Sequence, residues 1–235
     1  MKLAKTIIHR LGRRYISEIC SRENEQQTFT RHNERSIEYR FVFEQLTGLI
    51  PVARTVLDVG TGTTALPAMV RTCGFLVTAM DNVRDYWPEA MVNRHWSVVD
   101  EDILSPNALG QFDVIMCISV LEHIKEHARA VRNMLSHLAP GGRFILTCPY
   151  NEREYCGNVY DQPESSYGRG NPYVCQSYSR VELDGWLRDS GARVLTQEYW
   201  QFFDGRLWTF GAAVPPRRTS AEEAHQHTCL LIGRD

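Results

Sequence analysis

The sequence lacks three features that mark other classes of protein: a paired cysteine motif, a long apolar run and an excess of positive charge. Its seven cysteines are scattered and no CxxC pair occurs, which argues against a disulfide framework and against a zinc site. The longest apolar runs are far shorter than the ~20 residues needed to cross a bilayer. The net charge is -2, so the chain as a whole is not built to neutralise nucleic-acid phosphates.

The amino-terminal segment also lacks the uninterrupted apolar block and the small-residue cleavage site of a signal peptide. Together with the scattered cysteines, this favours a cytoplasmic protein. Residues 1–22 carry six basic side chains against one acid, Glu18, and apolar residues recur every four positions from Leu3 to Ile19. This pattern predicts a basic amphipathic helix over residues 1–20. Such a helix could lie on an anionic membrane surface, or pack on the core or on a second subunit.

The rest of the chain has the pattern of one α/β domain. A polar linker at residues 21–32 and a helix ending at Gly48 come first, and from Thr55 strand-like and helical segments alternate. Seven strands are predicted, at residues 55–59, 75–80, 95–99, 112–118, 143–148, 192–200 and 228–233. The alternation predicts a doubly wound, Rossmann-like sheet, mostly parallel, with helices on both faces and an antiparallel C-terminal edge strand. We therefore expect a helical extension at 1–50 and a single domain at 51–235.

The first predicted strand leads into a glycine loop, GTGTTA, at residues 60–65. Gly60 and Gly62 would let backbone amides and a helix N-terminus approach a ligand, although a plain strand-to-helix turn also uses glycine. The loop satisfies the dinucleotide fingerprint, so alone it does not separate a nicotinamide enzyme from one that binds another adenosine cofactor. Asp58 precedes the loop, and Asp81 ends the second strand, where a carboxylate binds ribose hydroxyls.

Two further segments separate these classes: FDVIMCISVLEH at residues 112–123 and LAPGGRFILTCP at residues 138–149. At these distances from the loop, the set resembles the class I S-adenosylmethionine-dependent methyltransferases over residues 55–148. The resemblance implies their fold, S-adenosylmethionine as cofactor and methyl transfer as the reaction. Thr64 departs from the pattern, since the family often has a third glycine there.

The resemblance implies roles for residues at the methionine and ribose ends of the cofactor. Gly60 and Gly62 would pass under the methionine part, and Asp58 would help to hold its amino group through water or the backbone. Asp81 would bind the ribose hydroxyls, with Asn82 beside it.

At the adenine end, the resemblance implies that Asp102 accepts from the adenine amino group and that Ile103 lies against the ring. Asp100 and Glu101 are equally available in the sequence, and Asp102 could instead be a solvated loop acid. Ser119 would lie near the methionine part, at the end of the fourth strand.

His123 is the candidate catalytic residue, because an imidazole at the end of the fourth strand could act as a base near neutral pH. The stretch VLEH at 120–123 resembles one shared by methyltransferases with very different acceptors, so a structural role for Glu122 and His123 stays open. We predict O-methylation of a small molecule or a glycan.

Six of the ten tyrosines lie between residues 150 and 178, in a connection long enough to be functional. This insertion, at about residues 150–179, and a second segment at 202–216 are the predicted walls of the acceptor site. The candidate acceptor contacts are Tyr150, Tyr155, Tyr178, Arg206 and Trp208. The alternative is that these aromatic residues anchor a loose loop onto the core.

The stretch ERSIEY at residues 34–39 bears a weaker resemblance to bacterial methyltransferases of sugars and surface polysaccharides. It implies that Arg35 and Tyr39 line the cofactor or acceptor pocket, although they could equally be surface residues of an amphipathic helix. Two other functions remain alternatives: a nicotinamide-dependent oxidoreductase, which would lack a visible Tyr-x-x-x-Lys pair, and a non-catalytic cofactor-binding module.

Overall fold

The computed structural model describes residues 2–25, 33–89, 91–107, 109–188 and 190–234. They form two units, which divide between Asn33 and Glu34. The sequence placed this boundary after residue 50, but helix α2, Arg35–Gly48, belongs to the second unit. The reason is that its residues Phe41, Val42 and Leu46 are buried in the core of that unit.

The first unit contains helix α1, Lys2–Glu25. The helix predicted for residues 1–20 is confirmed over its described part, and it continues through Ser21–Glu25, where a linker was predicted. An ion pair between Glu18 and Arg22, 2.5 Å long, supports this last turn. The remainder of the predicted linker, residues 26–32, lies outside the described residues. Over the ranges that the structure describes, no helix is both long and apolar enough to span a membrane.

The second unit is built on an eight-stranded sheet with the order β3-β2-β1-β4-β5-β8-β6-β7. The strands are β1 Thr55–Val59, β2 Leu76–Asp81, β3 Val98–Asp100, β4 Phe112–Ile118, β5 Leu138–Pro149, β6 Ala192–Phe203, β7 Ala213–Thr219 and β8 His227–Arg234. Strands β1 to β5 are parallel to one another. The predicted α/β fold, mostly parallel with antiparallel C-terminal strands, is confirmed.

Two details at the C-terminal side of the sheet differ from the prediction. Strand β8 is antiparallel but lies between β5 and β6, because its apolar residues are buried on both faces. The sheet edge is instead formed by β7, an eighth strand that was not predicted. It contains Pro215 and Pro216, which have no amide to donate, and it is mostly exposed. Proline is compatible with an edge strand because one side of the strand needs no partner.

Helices cover both faces of this sheet. The remaining helices are α3 Leu66–Thr72, α4 Val83–Tyr86, α5 His127–Ser136 and α6 Arg180–Leu187, with single 3₁₀ turns at Leu121–His123 and Val159–Asp161. One face packs against α2 and α3, and the other packs against α5 and α6. Neighbouring residues of β1, Val56 and Leu57, belong to the two different cores, as the alternation of side chains along a strand requires.

Candidate active site

The glycine loop lies at the carboxyl end of β1, and its two glycines serve different purposes. Gly60 and Gly62 have φ angles of +73° and +53°, which L residues rarely adopt. A Cβ on Gly60 would lie 2.3 Å from Val120 Cγ1, whereas a Cβ on Gly62 would have nothing within 4 Å. Gly60 is therefore required by packing, while Gly62 faces open space that a ligand can occupy.

Two side chains hold this loop in place. The Gly62 amide donates to Asp81 Oδ2 at 2.8 Å. Asn93, which is buried, donates from Nδ2 to the Gly62 carbonyl at 2.8 Å and to the Thr64 carbonyl at 3.0 Å. Asn93 Oδ1 accepts from the amides of His95 and Trp96, which fixes the orientation of its side chain.

Asp58 is a buried carboxyl group beneath the loop, only 2% exposed. Its Oδ2 atom has no hydrogen-bond partner within the described part of the chain. Burial raises the pKa of Asp58 to about 7, and the neighbouring Asp81 also raises it, while Thr61 and Arg35 lower it. A buried carboxyl oxygen without a partner is costly, and a cationic ligand would satisfy it.

Asp81 and Asn82 lie at the end of β2, as predicted, but their side chains differ in what they do. The Asp81 carboxylate orders the glycine loop through Gly62. It is partly exposed at the carboxyl ends of the parallel strands β1, β2 and β4, the edge of the sheet that is called the crevice from here on. Asn82 Oδ1 accepts from the Asp85 amide at 3.2 Å and so caps α4. The observed contact of the Asn82 side chain is therefore a structural one.

Asp102 and Ile103 follow β3 in a tight turn. Asp102 Oδ1 accepts from the Leu104 amide at 2.8 Å, and the Asp102 carbonyl accepts from the Ser105 amide at 2.9 Å. Ile103 is only 4% exposed and belongs to the core that also contains Leu57. The turn thus fixes the position of Asp102, while most of the Ile103 side chain is used in packing.

Ser119 ends β4 in a left-handed conformation, with φ +50°. Its hydroxyl donates to Glu38 Oε1 of α2 at 2.5 Å, and its amide donates to the Thr147 carbonyl at 3.1 Å. The Ser119 hydroxyl therefore uses its one hydrogen in the bond to Glu38. Sequence analysis placed Ser119 at this point of the fold but did not predict this partner.

His123 lies in the 3₁₀ turn that follows β4. Its Nδ1 lies 2.7 Å from the Val174 carbonyl, and because a carbonyl only accepts, this nitrogen carries the proton of the neutral ring. Nε2 is then the basic atom, and it lies 4.0 Å from Glu122 Oε1. Burial lowers the pKa of His123, which keeps the ring neutral near pH 7.

Glu122, the neighbour of His123, is buried, and its Oε2 atom has no partner among the described residues. Burial raises the pKa of Glu122 to about 8, and the nearby Glu38 acts in the same direction. The Glu122 carbonyl accepts from the amide of Gln176 at 2.9 Å and from its Nε2 at 3.3 Å. Gln176 thus fastens the turn after β4 to the tyrosine-rich segment.

Three of the predicted acceptor contacts lie in the interior. Tyr150, Tyr178 and Trp208 are 1%, 0% and 5% exposed. Tyr178 packs its ring edge-on against Trp186 and donates to the Leu121 carbonyl at 2.7 Å. Burying these large aromatic side chains stabilises a long irregular connection, and an acceptor contact for any of them stays a prediction.

Tyr155 and Arg206 are the two predicted acceptor contacts that remain at the surface. Tyr155 is 41% exposed and donates to Gln176 Oε1 at 2.8 Å. Arg206 pairs with Glu154 at 2.7 Å. An acceptor contact for either residue stays a prediction.

Sequence analysis missed Glu38, Asn93 and Gln176, which position the candidate site without belonging to its motifs. Glu38 was part of the stretch ERSIEY but received no role. Asn93 lies in a segment without apolar periodicity, and Gln176 lies among tyrosines. No local signal marked Asn93 or Gln176, since their function depends on contacts with residues at least 29 positions away in sequence.

The model of a known protein family, described as a methyltransferase domain, matches residues 26–197 of this chain. The chain is also similar to the ubiquinone biosynthesis O-methyltransferase of Coxiella burnetii. The two are 25% identical over 174 residues, which cover 70% of this chain and 73% of that protein.

Two solved structures show the same fold. One is an S-adenosylmethionine-dependent methyltransferase from Clostridium acetobutylicum, with a TM-score of 0.55, 14% identity, and coverage of 95% of this chain and 99% of that one. The other is the 1,6-didemethyltoxoflavin-N1-methyltransferase of Burkholderia thailandensis with bound S-adenosylhomocysteine. Its TM-score is 0.55 at 16% identity, and the match covers 97% of this chain and 89% of that one.

Proposed function

Because this chain belongs to the family of methyltransferase domains and is an S-adenosylmethionine-dependent methyltransferase, we propose that it methylates an oxygen atom of a small-molecule or glycan acceptor. The name of the Coxiella burnetii relative, an O-methyltransferase, supports the choice of oxygen. The observation that carries the proposal is the neutral His123 ring, whose Nδ1 is held by a carbonyl and whose Nε2 is the basic atom.

The residues of the crevice fit the cofactor in two independent ways. The unpartnered Oδ2 of Asp58 matches the ammonium group of the methionine part, and the open space at Gly62 leaves room for a ligand close to the backbone. In this proposal Asp81 binds the ribose hydroxyls and Asp102 accepts from the adenine amino group. When bound, the cofactor supplies a methyl group activated by a sulfonium.

The contribution of the protein to the reaction is orientation and proton transfer. Holding the acceptor oxygen in line with the methyl carbon can supply effective molarities of ~10⁵–10⁸ M. His123 Nε2 takes the proton of the acceptor hydroxyl as the oxygen attacks, a contribution of typically ~10²–10⁴-fold. The Val174 carbonyl maintains the required tautomer of His123, and it belongs to the segment that we predict to line the acceptor site.

The acceptor class is tested with labelled S-adenosylmethionine and three probes: catechol, methyl α-glucopyranoside and aniline. We expect O-methylation of the phenolic or the sugar probe, and a fall of at least ~10²-fold in its rate in His123→Ala. The variant should also lose the decrease in rate that protonation of His123 causes below pH 6.5, since burial lowers the pKa of the ring from that value. Methylation of aniline alone would contradict the choice of oxygen. A fall of only a few-fold in His123→Ala would show that positioning alone carries the chemistry.

We also propose that α1 binds an anionic membrane surface, which would suit an acceptor carried on a lipid. Its apolar residues Leu3, Ile7 and Leu11 are exposed, and Lys5, Arg10 and Arg13 fall mostly on the other side of the helix. Each lysine or arginine near an anionic surface contributes about 1 kcal/mol to binding. The charge of the helix therefore favours a lipid surface over a neutral partner.

Vesicle flotation tests this proposal on the full chain. We expect flotation with vesicles of phosphatidylcholine and phosphatidylglycerol, none with phosphatidylcholine alone, and loss of flotation in the double variant Lys5→Glu, Arg13→Glu. Arg71→Glu, Arg188→Glu is the matched control, because both arginines are exposed and lie outside α1. The membrane proposal would be overturned if the two variants floated equally, or if the chain formed a dimer and did not bind vesicles.

A further inference from the structure

Glu38 is a fully buried carboxylate that joins α2 to three strands of the sheet. Its Oε1 accepts from the hydroxyls of Ser119 at 2.5 Å and Thr147 at 2.6 Å, which belong to the end of β4 and to β5. His227 Nε2, at the start of β8, lies 3.2 Å from the same oxygen. Glu38 Oε2 accepts from Arg35 Nη1 at 2.9 Å. This set of contacts is called the Glu38 network below.

The Glu38 network keeps the Glu38 carboxylate ionised inside the protein. The nearby positive charge and the hydrogen-bond donors outweigh the free energy that burying the carboxylate costs. Burial alone would raise the pKa of Glu38, but His227, Arg35 and Ser119 lower it to about 2. Glu38 is thus ionised near neutral pH and can only accept hydrogen bonds. Ser119, Thr147 and Arg35 therefore all donate to it, which fixes the orientation of these three side chains.

Two of these donors lie at the crevice. Ser119 is held at φ +50°, a conformation that costs a non-glycine residue free energy and persists when its surroundings over-determine it. Arg35 Nη1 is shared between Glu38 and the Ile118 carbonyl, at 3.2 Å from the latter. Arg35 also lowers the pKa of Asp58, Glu122 and His123, which places its charge among the titratable groups of the crevice.

We infer that Glu38 is a positioning residue that acts through Ser119 and Arg35 to hold the methionine end of the cofactor. This inference rests on the cofactor site of the proposed function. Glu38 does not touch the cofactor itself. It orients the Arg35 guanidinium and the Ser119 turn before the cofactor binds, so that less ordering is needed on binding. The adenosine end of the site depends on other residues, Asp81 and Asp102.

The test compares two ligands in calorimetry: S-adenosylhomocysteine, which has the amino-acid end, and 5′-methylthioadenosine, which lacks it. In Glu38→Gln we expect at least tenfold weaker binding of S-adenosylhomocysteine and less than a twofold change for 5′-methylthioadenosine. The reason is that the amide loses the charge that fixes Arg35, and its single oxygen cannot accept from both Ser119 and Arg35.

Glu198→Gln is the matched control. Glu198 is also a buried carboxylate, 3% exposed, that pairs with Arg40 and Arg218 and accepts from Trp200. It lies on β6, four strands away from β1 in the sheet. We expect the thermal midpoint to fall in both variants, but the ligand-specific loss only in Glu38→Gln. An equal loss for both ligands, or no loss for either, would overturn the inference.

A second variant keeps the inference testable if Glu38→Gln does not fold. Ser119→Ala removes one bond of the Glu38 network and leaves Thr147 and Arg35 in place. We expect at least threefold weaker binding of S-adenosylhomocysteine with unchanged binding of 5′-methylthioadenosine, and unchanged binding of both ligands would overturn the inference. An error in the proposed cofactor site would give a different result, because Asp81→Ala would then leave the binding of both ligands unchanged.

Discussion

The two sides of the crevice differ in how well motifs predicted them. On the cofactor side, residues 55–123, the predicted Asp58, Asp81 and Gly62 lie together at the carboxyl ends of β1 and β2. On the aromatic side, residues 150–226, the predicted Tyr150 and Tyr178 are buried. A backbone turn that approaches a ligand demands particular residues, whereas a large aromatic side chain serves a core as readily as a pocket.

The largest effect should come from the packing glycine of the cofactor side. Gly60→Ala brings a Cβ to 2.3 Å from Val120 and adds the strain of a positive φ, so we expect a loss of about 2–4 kcal/mol in the free energy of unfolding. Gly62→Ala has only the backbone strain and should lose about 1–2 kcal/mol. Chemical denaturation measures both, and equal losses would show that the two glycines do not differ.

Asp81→Ala should affect ligand binding more than stability. A hydrogen bond to a charged carboxylate contributes about 1.5–3 kcal/mol, so we expect S-adenosylhomocysteine to bind at least about tenfold more weakly. Calorimetry measures this change, and the thermal midpoint verifies that the variant is folded. NAD is the comparison ligand, and tighter binding of NAD than of S-adenosylhomocysteine by the unmodified chain would argue against the cofactor site.

On the aromatic side, Tyr178→Phe should affect stability and leave the cofactor in place. The change removes two buried hydrogen bonds, from the Tyr178 hydroxyl to the Leu121 carbonyl and from Gln176 Nε2 to that hydroxyl. Each buried hydrogen bond contributes about 0.5–1.5 kcal/mol, so we expect a loss of about 1–3 kcal/mol. Tyr155→Phe, at a 41% exposed position, should cost less than about 1 kcal/mol. Denaturation of both variants measures the contrast, and a greater loss in Tyr155→Phe would reverse the roles assigned to them.

A smaller effect is expected from the titration of Asp58. Since burial raises its pKa to about 7, the carboxyl must lose its proton to bind an ammonium group, and the protonated fraction increases as the pH falls. The dissociation constant of S-adenosylhomocysteine should therefore rise about fivefold from pH 7 to pH 6. In Asp58→Asn this dependence should disappear, and its persistence would assign the titration to another group.

The central strands β1, β4, β5 and β8 were predictable because they are largely apolar and buried on both faces. Strand β7 was not, since its Pro215 and Pro216 resemble a loop and only an edge position makes them compatible with a strand. The insertion of β8 between β5 and β6 was not predictable either. A run such as TCLLIG indicates burial on both faces, but it does not determine which strands lie beside it in the sheet.

Some residues of the candidate site were likewise predictable from the sequence, and others were not. Asp81 was predictable because it ends a strand at a fixed distance from the glycine loop, and the loop amide of Gly62 now depends on it. The partners Glu38 and Ser119 are 81 residues apart, and no spacing in the sequence connects them. Asn93 supports the glycine loop from 31 residues beyond Gly62, in a segment without a periodic pattern.

The sequence by itself determined the alternation of strands and helices, the glycine loop and the acids that end the strands. These features follow from local chemistry: backbone freedom at glycine, apolar periodicity and the reach of a carboxylate from a strand end. Only the tertiary structure decided which glycine is required by packing, which tyrosines are buried and which glutamate stays charged beneath Ser119. Those outcomes depend on steric contact, on area removed from water and on opposite charge, all of which come from segments distant in sequence.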